Sequence, residues 1–141
     1  MDLYVNTRIA NVRVVQYVTV AAAIGITLLA VSAGELALGL VFGLIGAICV
    51  VAFELFYIRK YVTRLSRDAS GWLMHTLSTF GERQVRFDPR EAQLGDEIVQ
   101  NVPDGGVNYH YPLYVAGARY ILDSTPPVQI DIEALRRHFA H

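Results

Sequence analysis

The sequence has no excess of positive charge. Its 141 residues include 12 Lys and Arg against 13 Asp and Glu, a formal net charge of −1. Residues 59–141 hold ten basic and ten acidic residues, so this part of the chain is close to neutral. Proteins that bind nucleic acid need a net basic surface to neutralise phosphates. We therefore expect no nucleic-acid partner.

The residues that most enzymes and metal sites depend on are also scarce. Cys49 is the only cysteine, which excludes an intrachain disulfide and a cysteine-based zinc site. The sequence contains no nucleophile elbow, phosphate-binding loop or HExxH helix. We therefore expect a protein that is not an enzyme, with no catalytic residue, no cofactor and no metal site.

Two long apolar runs are what the sequence does contain. Residues 14–32 carry no charge, and residues 36–58 carry only Glu54. As helices they would extend about 28 and 34 Å, enough to cross a hydrocarbon core of about 30 Å. The short segment 33–35 between them can only be a turn. The sequence thus predicts a transmembrane hairpin at 14–58, a tail at 1–13 and a small soluble domain at 59–141. Residues 3–5 are either a short strand or a disordered lead-in.

Basic residues lie on one side of the predicted hairpin. They precede the first run and follow the second, whereas the connecting turn has none. The positive-inside rule then places both termini in the cytoplasm, or in the matrix of a mitochondrion. The residues are Arg8, Arg13, Arg59, Lys60, Arg64 and Arg67.

Small residues recur along both runs at spacings of about one helical turn. Such residues let helix backbones approach closely inside a membrane. Two interpretations stay open: the small residues join the two helices of the hairpin, or Gly46 and the remaining face pack on another membrane protein. The predicted helix-packing residues are Ala21, Gly25, Gly39, Gly43, Gly46 and Ala47.

Glu54 is the only ionisable residue inside the two runs. Such residues suggest a function by default, and the alternatives are a structural anchor that pairs with Arg59 or Arg13, or an ion or proton carrier. Aromatic and basic residues near the ends of both runs are typical of membrane interfaces. The predicted membrane-face anchors are Tyr17, Glu54, Tyr57, Arg59, Lys60, Tyr61 and Arg64.

The C-terminal part changes to the alternating pattern of β-strands. A three-strand meander begins directly after the hairpin, an acidic connector at 88–104 forms a solvated face or a docking loop, and Pro103 to Gly106 make a turn. A last helix at 132–140 presents Leu135 and Phe139 to the sheet. The predicted fold is a membrane α+β protein, a two-helix hairpin followed by a small β-rich domain on the same side as the N-terminus. Its predicted strands are 61–66, 72–79, 84–87, about 97–102, 109–115 and 120–123.

This order of elements resembles the mitochondrial inner-membrane assembly factors of the transmembrane protein 70/186/223 type. The resemblance covers residues 3–5 and 12–13 before the hairpin, and segments 59–65, 72–81 and 111–115 after it. It implies a non-enzymatic protein of the mitochondrial inner membrane with both termini in the matrix. Its partners would be integral membrane subunits of respiratory complex I or ATP synthase, bound during assembly or retained as an accessory subunit.

A second interpretation is a bacterial protein that anchors a pleckstrin-homology-like sheet to the cytoplasmic membrane. Both termini would then be cytoplasmic. The basic residues from Arg59 to Arg67 would lie on anionic lipid, or the domain would bind a partner protein.

Overall fold

The computed structural model describes residues 2–102 and 105–139, which form two compact units. Ala10–Ile58 make up one unit, the hairpin. The second unit, the domain, combines the residues up to Ile9 with those from Arg59 onward. The chain thus begins in the domain, leaves it for the hairpin and returns to it.

Two long helices form the hairpin: α1 spans Ile9–Ser32 and α2 spans Leu36–Phe56. At 1.5 Å per residue they are about 36 and 31 Å long, and both are apolar enough to cross a membrane. Only 6% of each apolar window is buried inside the molecule.

The structure corrects the predicted start of the first helix. α1 begins at Ile9 and not at Val14, because residues 9–13 contain no Gly or Pro that would stop a helix. Residues 1–13 are therefore not a separate tail. Asp2–Val5 form strand β1 of the domain, and at the other end of the hairpin a 3-10 turn at Ile58–Lys60 follows α2.

The first sheet of the domain has the strand order β1-β2-β3-β4. All neighbouring strands are antiparallel, so the predicted meander gains an N-terminal strand. The register places Tyr4 beside Leu65, Leu65 beside Met74, and Met74 beside Val85. Its last three strands are β2 (Val62–Asp68), β3 (Gly71–Ser78) and β4 (Gly81–Phe87).

The second sheet is built around its longest strand, Val107–Val115. These strands are β5 (Ala92–Leu94), β6 (Ile98–Asn101), β7 (Val107–Val115) and β8 (Ala118–Asp123). β7 pairs with β5, β6 and β8. The tight turn into β8 has positive φ at Ala116 (48°) and Gly117 (78°), the backbone that two-residue hairpin turns require.

The acidic connector is more ordered than predicted. Asp88 caps a 3-10 turn at Pro89–Glu91 by accepting a hydrogen bond from the Arg90 amide, and β5 follows at once. Ala92 is buried where it pairs with Val115, and this long-range pairing leaves no local sequence signal. Pro103 and Asp104 of the predicted turn lie outside the described residues.

The core lies between the strands and a C-terminal helix, α3 (Ile132–Phe139). The prediction that Leu135 and Phe139 face the sheet is confirmed, since both are buried and Phe139 lies 4.7 Å from Trp72 between ring centroids. Ala140, the last residue of the predicted helix, lies outside the described residues. An isolated parallel bridge between Tyr61 and Ile121 joins the two sheets.

Candidate functional sites in the hairpin and the domain

Three glycines of α2 form the seam of the hairpin. A Cβ atom added to Gly39 would lie 2.5 Å from Val31 Cγ2, and one added to Gly46 would lie 3.0 Å from Ala23 Cβ. A side chain at Gly39 would overlap Val31, and one at Gly43 or Gly46 would make an unusually tight contact, so glycine permits this close approach of the two helices. The seam contacts are Gly39 with Val31, Gly43 with Thr27 and Gly46 with Ala23.

The seam differs from the predicted stripe of small residues. Its glycines are spaced by four residues and then three, the alternation that keeps one helix face against a partner. Gly46 thus lies inside the hairpin and not on an outer face. Ala21 and Ala47 are exposed, and a Cβ at Gly25 would meet nothing within 4 Å. These three small residues were predicted to pack between helices, but they lie outside the seam, on the outer surface of the hairpin.

Substitution of Gly46 by Leu is expected to destabilise the hairpin by about 1–3 kcal/mol, because a larger side chain overpacks the contact with Ala23. The matched control is Gly25→Leu, whose side chain points into open space. An SDS titration of the detergent-solubilised protein, monitored by far-ultraviolet circular dichroism, measures the stability of the hairpin in both variants. Equal SDS midpoints for the two variants would contradict the glycine seam.

Gln16 connects the two helices through a chain of hydrogen bonds. Its side chain is buried, its Nε2 donates to Glu54 Oε2 (2.9 Å), and its Oε1 accepts from Arg13 Nη1 (2.9 Å). Gln16 thus links Glu54 to Arg13, and the direct pairing of Glu54 with Arg13 or Arg59 stays a prediction. A polar chain between apolar helices needs such partners because buried polar groups without hydrogen bonds are costly. The geometry gives Glu54 a role in joining the helices.

The other predicted membrane-face anchors are mostly accessible. The Tyr57 ring stacks on Phe53 at 5.3 Å, and Lys60 Nζ lies 5.3 Å from the centre of the Tyr120 ring. Tyr17, Tyr57, Arg59 and Arg64 are exposed.

Tyr61 requires a correction. It was predicted as a membrane-face aromatic, but its side chain is buried in the domain, with 4% exposed. Its hydroxyl donates a hydrogen bond to Asp123 Oδ2. The apparent continuity of Tyr57 and Tyr61 in the sequence hides a change of element, because Tyr61 directly precedes β2 and forms the bridge to Ile121.

Asp123 is the centre of a buried polar cluster in the domain. The carboxylate is 5% exposed and accepts hydrogen bonds from the Tyr61 hydroxyl and from the Thr125 amide (2.8 Å). The Tyr4 hydroxyl donates to the Asp123 backbone carbonyl (3.0 Å). Arg8 Nη1 lies 3.5 Å from Asp123 Oδ2 and forms the ion pair. We refer to Tyr4, Asn6, Arg8, Tyr61, Asp123 and Thr125 as the Asp123 cluster.

Burial fixes the protonation of the two tyrosines. It raises the pKa of Tyr4 and of Tyr61 well above the ordinary value, and the nearby Asp123 carboxylate raises both further. Both hydroxyls therefore stay neutral donors at any physiological pH. The Asn6 amide opposes this shift by favouring the ionised phenols, although its buried Nδ2 makes no hydrogen bond of ordinary geometry within the described residues.

The Asp123 cluster joins three distant parts of the chain. Tyr4 and Arg8 precede the hairpin, Tyr61 follows it, and Asp123 ends β8. The cluster links these segments, since the neutral Tyr61 hydroxyl donates to the Asp123 carboxylate and the neutral Tyr4 hydroxyl donates to the Asp123 backbone carbonyl. The sequence patterns did not predict this cluster. The available signal was a carboxylate directly after the apolar residues Ile121 and Leu122.

Within residues 2–102 and 105–139, no group of three or more His, Cys, Asp or Glu residues could hold a metal ion. His110 lies opposite Asp123 in the β7–β8 pair. Burial, and next the Arg119 charge, lower the pKa of His110, which is therefore neutral at pH 7.

Comparison with known proteins finds no family model that matches this chain, and no similar curated protein or solved structure. The hairpin, its outer faces and the Asp123 cluster are therefore the observations that bear on function.

Proposed function

We propose that this protein is a non-catalytic accessory or assembly subunit of a multi-subunit membrane complex of the respiratory-chain or ATP synthase type. The hairpin packs against helices of other subunits in the bilayer, and the domain docks on them at the membrane face. One observation carries the proposal: both helices are long enough to span a membrane and are almost entirely unburied. Apolar helices of this kind need lipid or other membrane helices around them.

The arrangement of small residues supports a protein partner in the membrane. The glycines of α2 are used within the hairpin, whereas Ala21, Gly25 and Ala47 remain on outer surfaces. Small outer residues permit the close approach of a further helix. The respiratory-chain assignment and the mitochondrial inner membrane, with both termini in the matrix, follow from the resemblance in layout alone.

The position of the basic residues weighs against the lipid-reading alternative. Arg67 lies at the other end of β2 from Val62. It is six positions after Tyr61, about 20 Å along an extended strand. The basic residues from Arg59 to Arg67 are therefore spread along the strand, which supports the bacterial pleckstrin-homology-like interpretation less well than a compact basic patch would.

Co-purification of the tagged full-length protein from its own membranes tests the proposal. In mild detergent and on blue-native gels, we expect it to migrate with a large complex whose subunits mass spectrometry identifies. Gly25→Leu is expected to weaken this association without unfolding the hairpin, whereas Ile24→Leu, a volume-conserving change at a neighbouring exposed position, leaves it unchanged.

Two results would contradict the proposal. Migration at the monomer mass alone, with no co-purifying subunit, would exclude a stable complex. Retention of the complex by Gly25→Leu, at the level seen with Ile24→Leu, would exclude this outer face of α1 as the packing surface.

A further inference from the structure

Phe80 lies at the tip of the β3–β4 hairpin with 97% of its surface exposed. Ser78 and Gly81 pair across this turn, so the turn itself consists of Thr79 and Phe80. Two-residue hairpin turns favour Gly, Asn and Asp. A large apolar ring at such a position contributes nothing to the fold and is unfavourable in water.

The topology of the first sheet places Phe80 at the end from which the chain enters and leaves the hairpin. The Leu77 amide donates to the Tyr61 carbonyl (3.0 Å), and Tyr61 directly follows the turn after α2. Phe80 lies in the turn that directly follows Leu77 and Ser78, and therefore at this same end of the sheet. At the same end, the Asn6 amide donates to the Thr63 carbonyl (2.8 Å) just before α1 begins.

The chemistry of this end suits a membrane interface. Arg83, three residues after Phe80, and Arg59, two residues before Tyr61, are both exposed, and the Glu82 carboxylate is paired with His75 Nδ1 at 3.3 Å. An exposed apolar ring, with exposed arginines close to it in the sequence or at the start of the same sheet, matches the boundary between acyl chains and anionic headgroups.

The opposite end of the same sheet has a different character. Its turn consists of Ala69 and Ser70, between β2 and β3. The Asp68 carboxylate accepts hydrogen bonds from Ser70 and pairs with Arg86 (3.3 Å). The hydrogen bonds from Ser70 are the main cause that lowers the pKa of Asp68. The β2–β3 turn is therefore polar and its side chains are hydrogen-bonded to one another, whereas the β3–β4 turn exposes an apolar ring.

We propose that Phe80 inserts into the lipid interface, as a membrane contact separate from the hairpin. It fixes the orientation of the domain relative to the bilayer. This inference rests on the proposed placement of α1 and α2 in a membrane. If the chain leaves the lipid near Arg59, the β3–β4 turn with Phe80 lies at the end of the sheet that faces the bilayer surface.

Tryptophan quenching by brominated lipids tests the inference on the full-length protein. The only native tryptophan, Trp72, is buried and supplies a constant background. Three single variants are reconstituted into vesicles of phosphatidylcholine and phosphatidylglycerol, with or without bromine near the top of the acyl chains. They are Phe80→Trp, Ala69→Trp at the opposite tip, and Ile45→Trp in the exposed middle of α2.

We expect Phe80→Trp to lose most of its added emission in the brominated vesicles, and Ala69→Trp to lose none. Ile45→Trp is expected to be quenched more strongly by bromine placed deeper in the chains. If Ile45→Trp is quenched but Phe80→Trp behaves like Ala69→Trp, the inference is wrong while the membrane hairpin stands. If Ile45→Trp is not quenched, the hairpin is not in lipid and both proposals fail.

Discussion

Asp123→Ala is expected to destabilise the domain by about 3 kcal/mol, the cost of removing one partner from a buried charged cluster. The Tyr61 hydroxyl and the Thr125 amide would each lose an acceptor, and Arg8 would lose its counter-charge. The Tyr61 side chain is buried, so its hydroxyl is not exposed to bulk solvent. The loss therefore includes the desolvation cost of the orphaned groups as well as the hydrogen bonds themselves.

Trp72 provides the readout, since its emission reports unfolding of the domain core in urea. Asp96→Ala is the matched control. Asp96 is fully exposed and contacts Arg136 at 3.5 Å, so its removal should leave the urea midpoint unchanged. A shift for Asp123→Ala no larger than that for Asp96→Ala would show that the Asp123 cluster is not needed for stability.

A double-mutant cycle separates the hydrogen bond of Tyr61 from the rest of the cluster. Tyr61→Phe in the Asp123→Ala background should cost less than Tyr61→Phe alone, because its acceptor is already gone. Full additivity of the two changes would mean that the hydroxyl and the carboxylate do not interact in solution.

Phe139→Ala is expected to destabilise the domain by a similar amount, about 3 kcal/mol, the lower part of the range for removal of a buried aromatic ring. Phe139 is 2% exposed, and its ring centroid lies 4.7 Å from that of Trp72 and 5.9 Å from that of Phe87. Removal of the ring leaves a cavity beneath α3 that the rigid strands on the other side cannot fill.

The urea transition of the full-length protein measures this effect, and Arg137→Ala serves as the control on the same helix. Arg137 is exposed, so its substitution changes α3 without opening the core. Because Phe139 touches Trp72, its replacement should also shift the native emission of Trp72. An unchanged emission spectrum and urea midpoint would mean that α3 does not cover the core.

The helices, the first strands of the domain and the buried face of α3 could be predicted from patterns within single segments of the sequence. The uninterrupted apolar runs predicted two long helices, and alternation predicted the strands that became β2, β3 and β4. The spacing of Leu135 and Phe139 predicted the buried face of α3, because both side chains repeat near the helical period. In each case the signal lies within one segment of the chain.

The hairpin seam was only partly predictable. The abundance of glycine in α2 indicated close helix packing, but the choice between Gly46 and Ala47 depends on the rotation of each helix about its axis. That rotation is set by side chains on the other helix, such as Ala23 and Thr27. No periodicity within a single helix can report it.

The sequence by itself determined the layout of this protein: two long apolar helices, in which Arg13 and Glu54 are the only charged residues, and a β-rich domain with a C-terminal helix. Only the tertiary structure decided which residues act together. It brought Tyr4, Arg8 and Tyr61 to Asp123, residues up to 119 positions apart. It also placed Phe80 at the same end of the first sheet as Tyr61, the residue that precedes β2. Both follow from strand pairing, and pairing depends on contacts between distant segments that no local pattern encodes.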